Sequence, residues 1–339
     1  MKYIGKWIIL FLSGLISCTA GDVVDSSGQE NEYVELHVQT PAVGNRIDTR
    51  ASVENLPSGV TVRVVAYQRQ PGALSVPVDY SVTAPTAQAT YVVNADGTLT
   101  QCTVDANGKK TDGTPELFYV YKGTYDFYAV SPARPLVLDG AKYQIKGLQR
   151  NEDVMTSIGT GMTVTVSNAT VTLETFVRKC ARVVFKVIPA ASTKIGLTKL
   201  TAKSVELSSM SAESGSIPAG KAEAIIPTAA STVTFSNFIA VPSADDPKKL
   251  GLTQATNLVL PKSNTSIGVR VTLDYQDEND TAVKEKTLQA TLDAMAFEAG
   301  KSYVVSLTVD NNSSALNWTV SDWNTKVEET DDNMGGAIK

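Results

Sequence analysis

The chain has 339 residues, 42 % of them hydrophobic and 19 % charged, with 35 acidic residues against 30 basic ones and a single histidine. That length suggests about two domains of ~150 residues each. The mildly acidic balance argues against nucleic acid as a partner and against docking on anionic lipid by charge, and one histidine leaves most catalytic triads and zinc sites without a second member.

The first seventeen residues, "MKYIGKWIILFLSGLIS", join a basic start to an apolar run from Trp7 to Leu12 that resumes at Leu15. This describes a secretory signal, and it falls short of the ~20 apolar residues of a membrane span. The signal ends in "LISC", which resembles a bacterial lipobox. The resemblance implies cleavage before Cys18 and acylation of that cysteine, so Cys18 is the expected lipid anchor, and several acyl chains give stable anchoring. An ordinary signal peptide that happens to contain a cysteine is the plainer alternative. Residues 18–32 are short, polar and acidic and read as a flexible tether.

The stretch "YVELHVQTPAVGNRIDTRA", residues 33–51, starts as a strand and ends as a target. Val34, Leu36 and Val38 alternate with Tyr33, Glu35, His37 and Gln39, the period of a half-buried strand. Pro41, Gly44, Asn45 and Asp48 then form a turn-rich segment carrying Arg46 and Arg50, an exposed site of the kind proteases cut. His37 falls on the outer face of this strand and reads as a lone surface histidine.

Strand and turn signals fill the rest. "VTVRVVAYQ" is β-branched and alternating, and the Asp-Gly and Asn-Gly pairs within residues 90–110 supply the positive φ of tight hairpins. "LFYVYKGTYDFYAVSP" reads as two aromatic strands meeting at Lys122-Gly123, and "PLVLDGAKYQI" as a further hairpin. A second series opens near residue 169 with "ATVTLETFVRKCARVVFKVIP" and runs to "LNWTVSDWN". "GTYDFYAVSPARPL" and "VTFSNFIAVPSADD" echo each other faintly. Many short strands separated by turns favour sandwiches. The expected fold is all-β: two tandem Greek-key-like β-sandwiches over 33–168 and 169–339, after the signal (1–17) and the tether (18–32).

Little chemistry is visible. Gly-x-Ser-x-Gly, the phosphate-cradling loop and Cys-x-x-Cys are all missing. Asp274, Asp277, Glu278 and Asp280 do not match a calcium loop and read as a solvated hairpin turn. Cys102 and Cys180 read as buried free thiols ahead of a disulfide. Leu316, Trp318 and Val320 share one strand face, which favours core packing over a sugar-stacking platform made with Trp323. No enzyme, cofactor or metal site is expected.

In their order, the lipobox, the acidic tether, the strand before an arginine segment, "GTYDFYAVSP", "KCARVVFKV" and "FEAGKSYVVSLTV" leading to "WTVSDWN" resemble the bacterial fimbrillins, lipoprotein precursors of type V pili, over essentially the whole chain. The resemblance implies a precursor carried to the outer membrane by its lipid, then a surface fimbrium. An arginine-specific protease would cut after Arg50, before Ala51, with Arg46 as the alternative. Residues 33–40 would leave as a plug strand bearing Val34, Leu36 and Val38, and a donor strand from another fimbrial subunit would replace it. Leu316, Trp318 and Val320 mark the candidate donor in this chain. The acidic, glycine-containing end "TKVEETDDNMGGAIK" departs from the family pattern, which leaves shaft, tip and anchor positions open and the surface ligand unnamed. The competing reading is a non-polymerising surface lipoprotein that binds glycans through exposed tryptophans. Elementary physics supports the first reading, because a lost strand strips partners from a row of backbone groups and leaves a template for another chain.

Overall fold

The computed structural model describes residues 32–43, 54–190, 196–220, 229–243, 250–309, 314–322 and 336–337, the last two stretches as backbone only. Among them every regular element is a β-strand, so the fold is all-β. The expected signal (residues 1–17), Cys18, Arg46, Arg50, Ala51 and Trp323 lie outside the described residues.

The first set of strands centres on a six-stranded sheet in the order Val177–Arg178, Met155–Val164, Gly123–Ser131, Thr61–Gln68, Ala87–Val93, Leu99–Gln101. Its middle strands carry nearly unbroken apolar runs, such as "YAV" in 128–130 and "VVAY" in 64–67. The cause is burial on both faces, which leaves no solvent side on which to place polar residues. Tyr125, Phe127 and Ala129, with Val62, Val64 and Ala66, face a core that also holds Val34, Leu36, Phe118 and Phe176. Tyr128 and Val130, with Val65 and Tyr67, face a different core that holds Tyr80, Ile145, Leu148 and Ile217.

Asp126 interrupts the apolar run and is fully buried. It accepts hydrogen bonds from Arg69 Nε (2.9 Å) and Nη2 (2.7 Å), and from the backbone N–H groups of Val78 and Gly161 (2.7 Å each). A buried carboxylate persists only with such a full set of partners. Here they pin the 69–78 loop and the Met155–Val164 strand to the central strand.

The second set is a six-stranded sheet (Ile239–Val241, Leu252–Val259, Ala181–Pro189, Lys301–Val309, Ser314–Asp322, Gly336–Ala337) and a four-stranded one (Ala230–Phe235, Leu197–Ser211, Lys262–Asp277, Lys284–Phe297). Both sheets contribute to a single core: Val183, Phe185, Val305 and Leu307 from the first, Val205, Leu207, Val269 and Val271 from the second. Two sheets sharing one core in this way are a sandwich arrangement. Ala181–Pro189 alternates strictly between buried and half-buried positions, because only one of its faces meets that core.

The two sets are stitched together. Gly215–Pro218 leaves the second set to pair with Lys142–Leu148, placing Ile217 opposite Ile145. Asn151 exchanges hydrogen bonds with Leu258, and Arg150 donates to the carbonyl of Ser211. Hydrogen bonding passes from one set to the other around Cys180. Thr170–Val171 and Val177–Arg178 still pair with strands of the first set, and Ala181–Pro189 opens the second. The sequence reading opens the second series at 169, where "ATVTL" starts a new alternation.

Cys102 and Cys180 are buried free thiols. The acidic stretch joins Lys262–Asp277 to Lys284–Phe297, and Asp280 lies 2.8 Å from Lys284 Nζ, whose hydrogen bond holds its carboxyl below the ordinary range.

Candidate functional site

Opposite the six-stranded sheet, the core around Tyr125 and Phe127 is closed by short pieces. Residues 33–43 lie between two of them. Tyr33–Glu35 runs antiparallel to Tyr119–Tyr121, with Val34 opposite Val120. His37–Val38 then runs parallel to Thr170–Val171. The backbone changes sides at Leu36: its N–H donates to the Phe118 carbonyl (2.8 Å), whereas the N–H groups of His37 and Gln39 donate to Ala169 (2.9 Å) and Val171 (3.0 Å). Ala42–Val43 pairs with Glu54–Asn55, and the Ala42 carbonyl accepts from Phe176 N–H.

The segment buries Val34, Leu36, Pro41 and Val43, with Val43 wholly inaccessible, and half-buries Val38. Val34, Leu36 and Val43 share a core with Phe118, Val120, Tyr125, Phe127, Val171 and Phe176. Each fully buried aliphatic side chain contributes about 1.5–3 kcal/mol. Sequence alternation finds Val34 and Leu36 but misses Pro41 and Val43. The buried set moves from even to odd numbers between Leu36 and Pro41, and a one-residue slip exchanges the two faces of a strand. The only local signal for it is the apolar cluster "PAV" itself.

The outward face is polar and aromatic. Tyr33 is exposed, its ring centroid is 4.2 Å from that of Tyr121, and the two hydroxyls are 2.5 Å apart. Tyr119 donates from its hydroxyl to Glu35 Oε2 at 3.3 Å. The Glu35 charge pushes the Tyr119 phenol above its ordinary value, and the hydrogen bond between the Tyr33 and Tyr121 hydroxyls does the same for Tyr121. Thr40 donates to the Gly97 carbonyl, and Thr172 to Gln39. His37 is exposed.

At the other end of the chain, the backbone of Ser314–Asp322 pairs antiparallel with Lys301–Val309, which sets Leu316 opposite Leu307, Trp318 opposite Val305 and Val320 opposite Tyr303. The candidate donor is thus a member of its own sheet, and the tryptophan platform falls on side chains outside those described. Among the described residues no group of three or more histidine, cysteine, aspartate or glutamate side chains is placed to hold a metal ion.

Comparison with known proteins adds to this picture. A family profile described as fimbrillin-like matches residues 25–327. The chain has the fold of a candidate cell adhesion protein from Bacteroides fragilis (TM-score 0.54, 20 % identity, covering 88 % of this chain and 100 % of that one). It is similarly close to a candidate cell adhesion protein from Bacteroides ovatus (TM-score 0.53, 14 % identity, covering 88 % and 100 %) and to a fimbrial protein from Bacteroides vulgatus (TM-score 0.52, 13 % identity, covering 86 % and 100 %). Comparison with curated proteins finds no match. At these identities the structural likenesses concern the fold alone.

Proposed function

The chain belongs to the fimbrillin-like family, and from that premise we propose that it is a structural subunit of a surface fimbria in which residues 33–43 act as a removable plug. The family is one of fimbrial subunits rather than catalysts, and its members work beside other fimbrial subunits at the cell surface. The finer reading has four parts: export as a lipoprotein anchored at Cys18, cutting by an arginine-specific protease after Arg50 (or Arg46), departure of the plug, and replacement by a donor strand from another subunit.

One observation supports it above all. The segment is seated between the Tyr119–Tyr121 and Thr170–Val171 strands, with Val34, Leu36 and Val43 in the core. The arginine segment 44–53 is its link to the rest of the fold in sequence. Vacating that place uncovers apolar wall and unpaired backbone together, the two ingredients of strand addition. Because groove and donor are different surfaces, the contact is heterologous and propagates as an open fibre. With the plug in place the same edge is capped. In this chain the candidate donor around Leu316, Trp318 and Val320 would first have to leave its ladder with Lys301–Val309.

Mild trypsin treatment of the folded protein lacking its signal tests the reading. One early cut between residues 45 and 51 is expected, followed by release of the N-terminal peptide that carries residues 33–43, read by mass spectrometry, and a shift to multimers in size-exclusion chromatography. Resistance of that segment, or a trimmed protein that sheds nothing and stays monomeric, overturns it. N-terminal sequencing of protein shed from cells separates a chain starting at Ala51 from one still acylated at Cys18.

A further inference from the structure

The two walls that hold the 33–43 segment differ in what they show to solvent. The Thr170–Val171 side meets it with backbone and with the hydroxyl of Thr172. The Tyr119–Tyr121 side presents two phenols, each engaged by the seated segment: Tyr121 against Tyr33, ring to ring and hydroxyl to hydroxyl, and Tyr119 against Glu35. Tyr119 and Tyr121 belong to the wall that stays, whereas Tyr33 and Glu35 belong to the strand that goes. Leu117, two positions before Tyr119, is also exposed. Departure of the segment therefore leaves two unpartnered phenols and a leucine along an open backbone edge.

Resting on the reading of the groove given above, we propose that Tyr119 and Tyr121 select the strand that enters it. The favoured donor carries a hydroxyl-bearing ring opposite Tyr121 and, two residues on, a carboxylate opposite Tyr119, each followed by an apolar residue, as in the Tyr33-Val34-Glu35-Leu36 that it replaces. The partner with that pattern is a strand of a different subunit, and residues 314–322 of a second copy fit the groove less tightly. In that stretch Leu316, Trp318 and Val320 alternate with Asn317, Thr319 and Ser321, an amide and two hydroxyls with neither ring nor carboxylate. Its backbone is also already committed to a nine-residue strand of its own sheet. Cross-strand pairs on an exposed face are individually modest, so the two together give a discrimination of about tenfold, added to the apolar insertion common to every donor.

The test uses protein trimmed by trypsin and freed of residues 33–43, with fluorescent peptides read by anisotropy. The probes are YVELHVQTPAV, the same peptide with Tyr33→Ser and Glu35→Thr, and SALNWTVSD. The first is expected to bind about tenfold tighter than the second and tighter than the third. The gap between the first two is expected to close to about twofold in a Tyr119→Ser, Tyr121→Ser protein. A Tyr119→Phe, Tyr121→Phe protein, which loses only the hydroxyls, is expected to give an intermediate gap and guards against misfolding of the serine variant. Equal binding of the first two peptides to the wild-type protein overturns the selection and leaves the groove standing. Tighter binding of SALNWTVSD overturns the choice of a different subunit. Failure of every peptide to bind overturns the groove reading along with it.

Discussion

Two of the cores among the described residues, the one around Tyr125 and Phe127 and the one around Val183 and Phe185, are closed in different ways. In the second set the cover is made of Leu197–Ser211, Lys262–Asp277 and Lys284–Phe297, strands of 15, 16 and 14 residues. In the first, the cover over Tyr125 and Phe127 consists of pieces of two or three residues: Tyr33–Glu35, His37–Val38, Ala42–Val43, Tyr119–Tyr121 and Thr170–Val171. Val34 and Leu36 are buried, as are Val205 and Leu207. The difference lies in backbone cross-linking. Apolar burial sets how much is lost when a piece leaves, and ladder length sets whether it can leave without the rest, since low-stability units are those with few internal hydrogen bonds.

The largest effect expected from a single change lies beneath the weak cover. Asp126→Asn leaves the Arg69 guanidinium buried without its charge partner, and breaking a buried pair on one side costs about 3–5 kcal/mol. Urea unfolding followed by tryptophan-independent circular dichroism is expected to show a loss of that size. A cost under about 1 kcal/mol would mean that the sheet under the plug is not pinned by this pair. Leu36→Ala comes next, at about 2–5 kcal/mol, and it tests the comparison directly. Hydrogen exchange is expected to rise at 118–121 and 169–171 with no change at 181–189, whereas Leu207→Ala is expected to raise exchange at 181–189. Equal loosening of both regions by Leu36→Ala would show that the plug is not an independent unit.

Much of this contrast is legible in the sequence. Arg182 and Lys186 in "ARVVFKV" mark the outer face of a strand with one buried face, whereas the stretch around Val64 reads as an alternating strand and is buried on both faces. The inward positions Val34 and Leu36 follow from period two. What escapes is long-range or out of phase. The pairing of Gly215–Pro218 with Lys142–Leu148 joins segments about 70 residues apart, and no local pattern encodes a partner at that distance. The slip that buries Pro41 and Val43 breaks the parity on which the reading depends. Tyr119 and Tyr121 sit in "LFYVYKG", where alternation marks them only as outward-facing, and their role emerges once Tyr33 and Glu35 are known to lie against them.

A third way to separate the two regions is alkaline pH. Tyr67, Tyr80 and Tyr128 cluster under the outer face of the first sheet, with Tyr80 ring centroids 5.1 Å from Tyr67 and 5.7 Å from Tyr128. Burial raises all three phenols above the ordinary value of 10.0, and pushes Tyr91, beside the plug, up to about 12. In the second core Tyr303 is raised, again mainly by burial. A raised phenol keeps its proton in the folded chain after the unfolded chain has lost it. Its contribution is therefore complete below pH 10 and declines as pH rises above it, by about 1.4 kcal/mol per pH unit for a fully buried group such as Tyr128. Hydrogen exchange or proteolysis across pH 9 to 12 is expected to open the first set before the second. Simultaneous opening would tie the two sets into one cooperative unit through the Ile145–Ile217 stitch.

The smallest effect settles where the plug ends. Val43 is wholly buried and Val38 half-buried. Removing two methyl groups from a fully buried site costs about 1.5 kcal/mol, at about 0.8 per carbon, and roughly half that where water already reaches one side. After a cut within 44–53 the departing piece carries both valines, so its release rate compares them under one condition. Val43→Ala is expected to speed release about tenfold and Val38→Ala about threefold, by the usual 1.4 kcal/mol per decade. The opposite order would place Val38 at the deep end and Val43 outside it. The cover would then stop at residue 40, as plain alternation predicts, and the short Ala42–Val43 pairing with Glu54–Asn55 would add nothing to the hold.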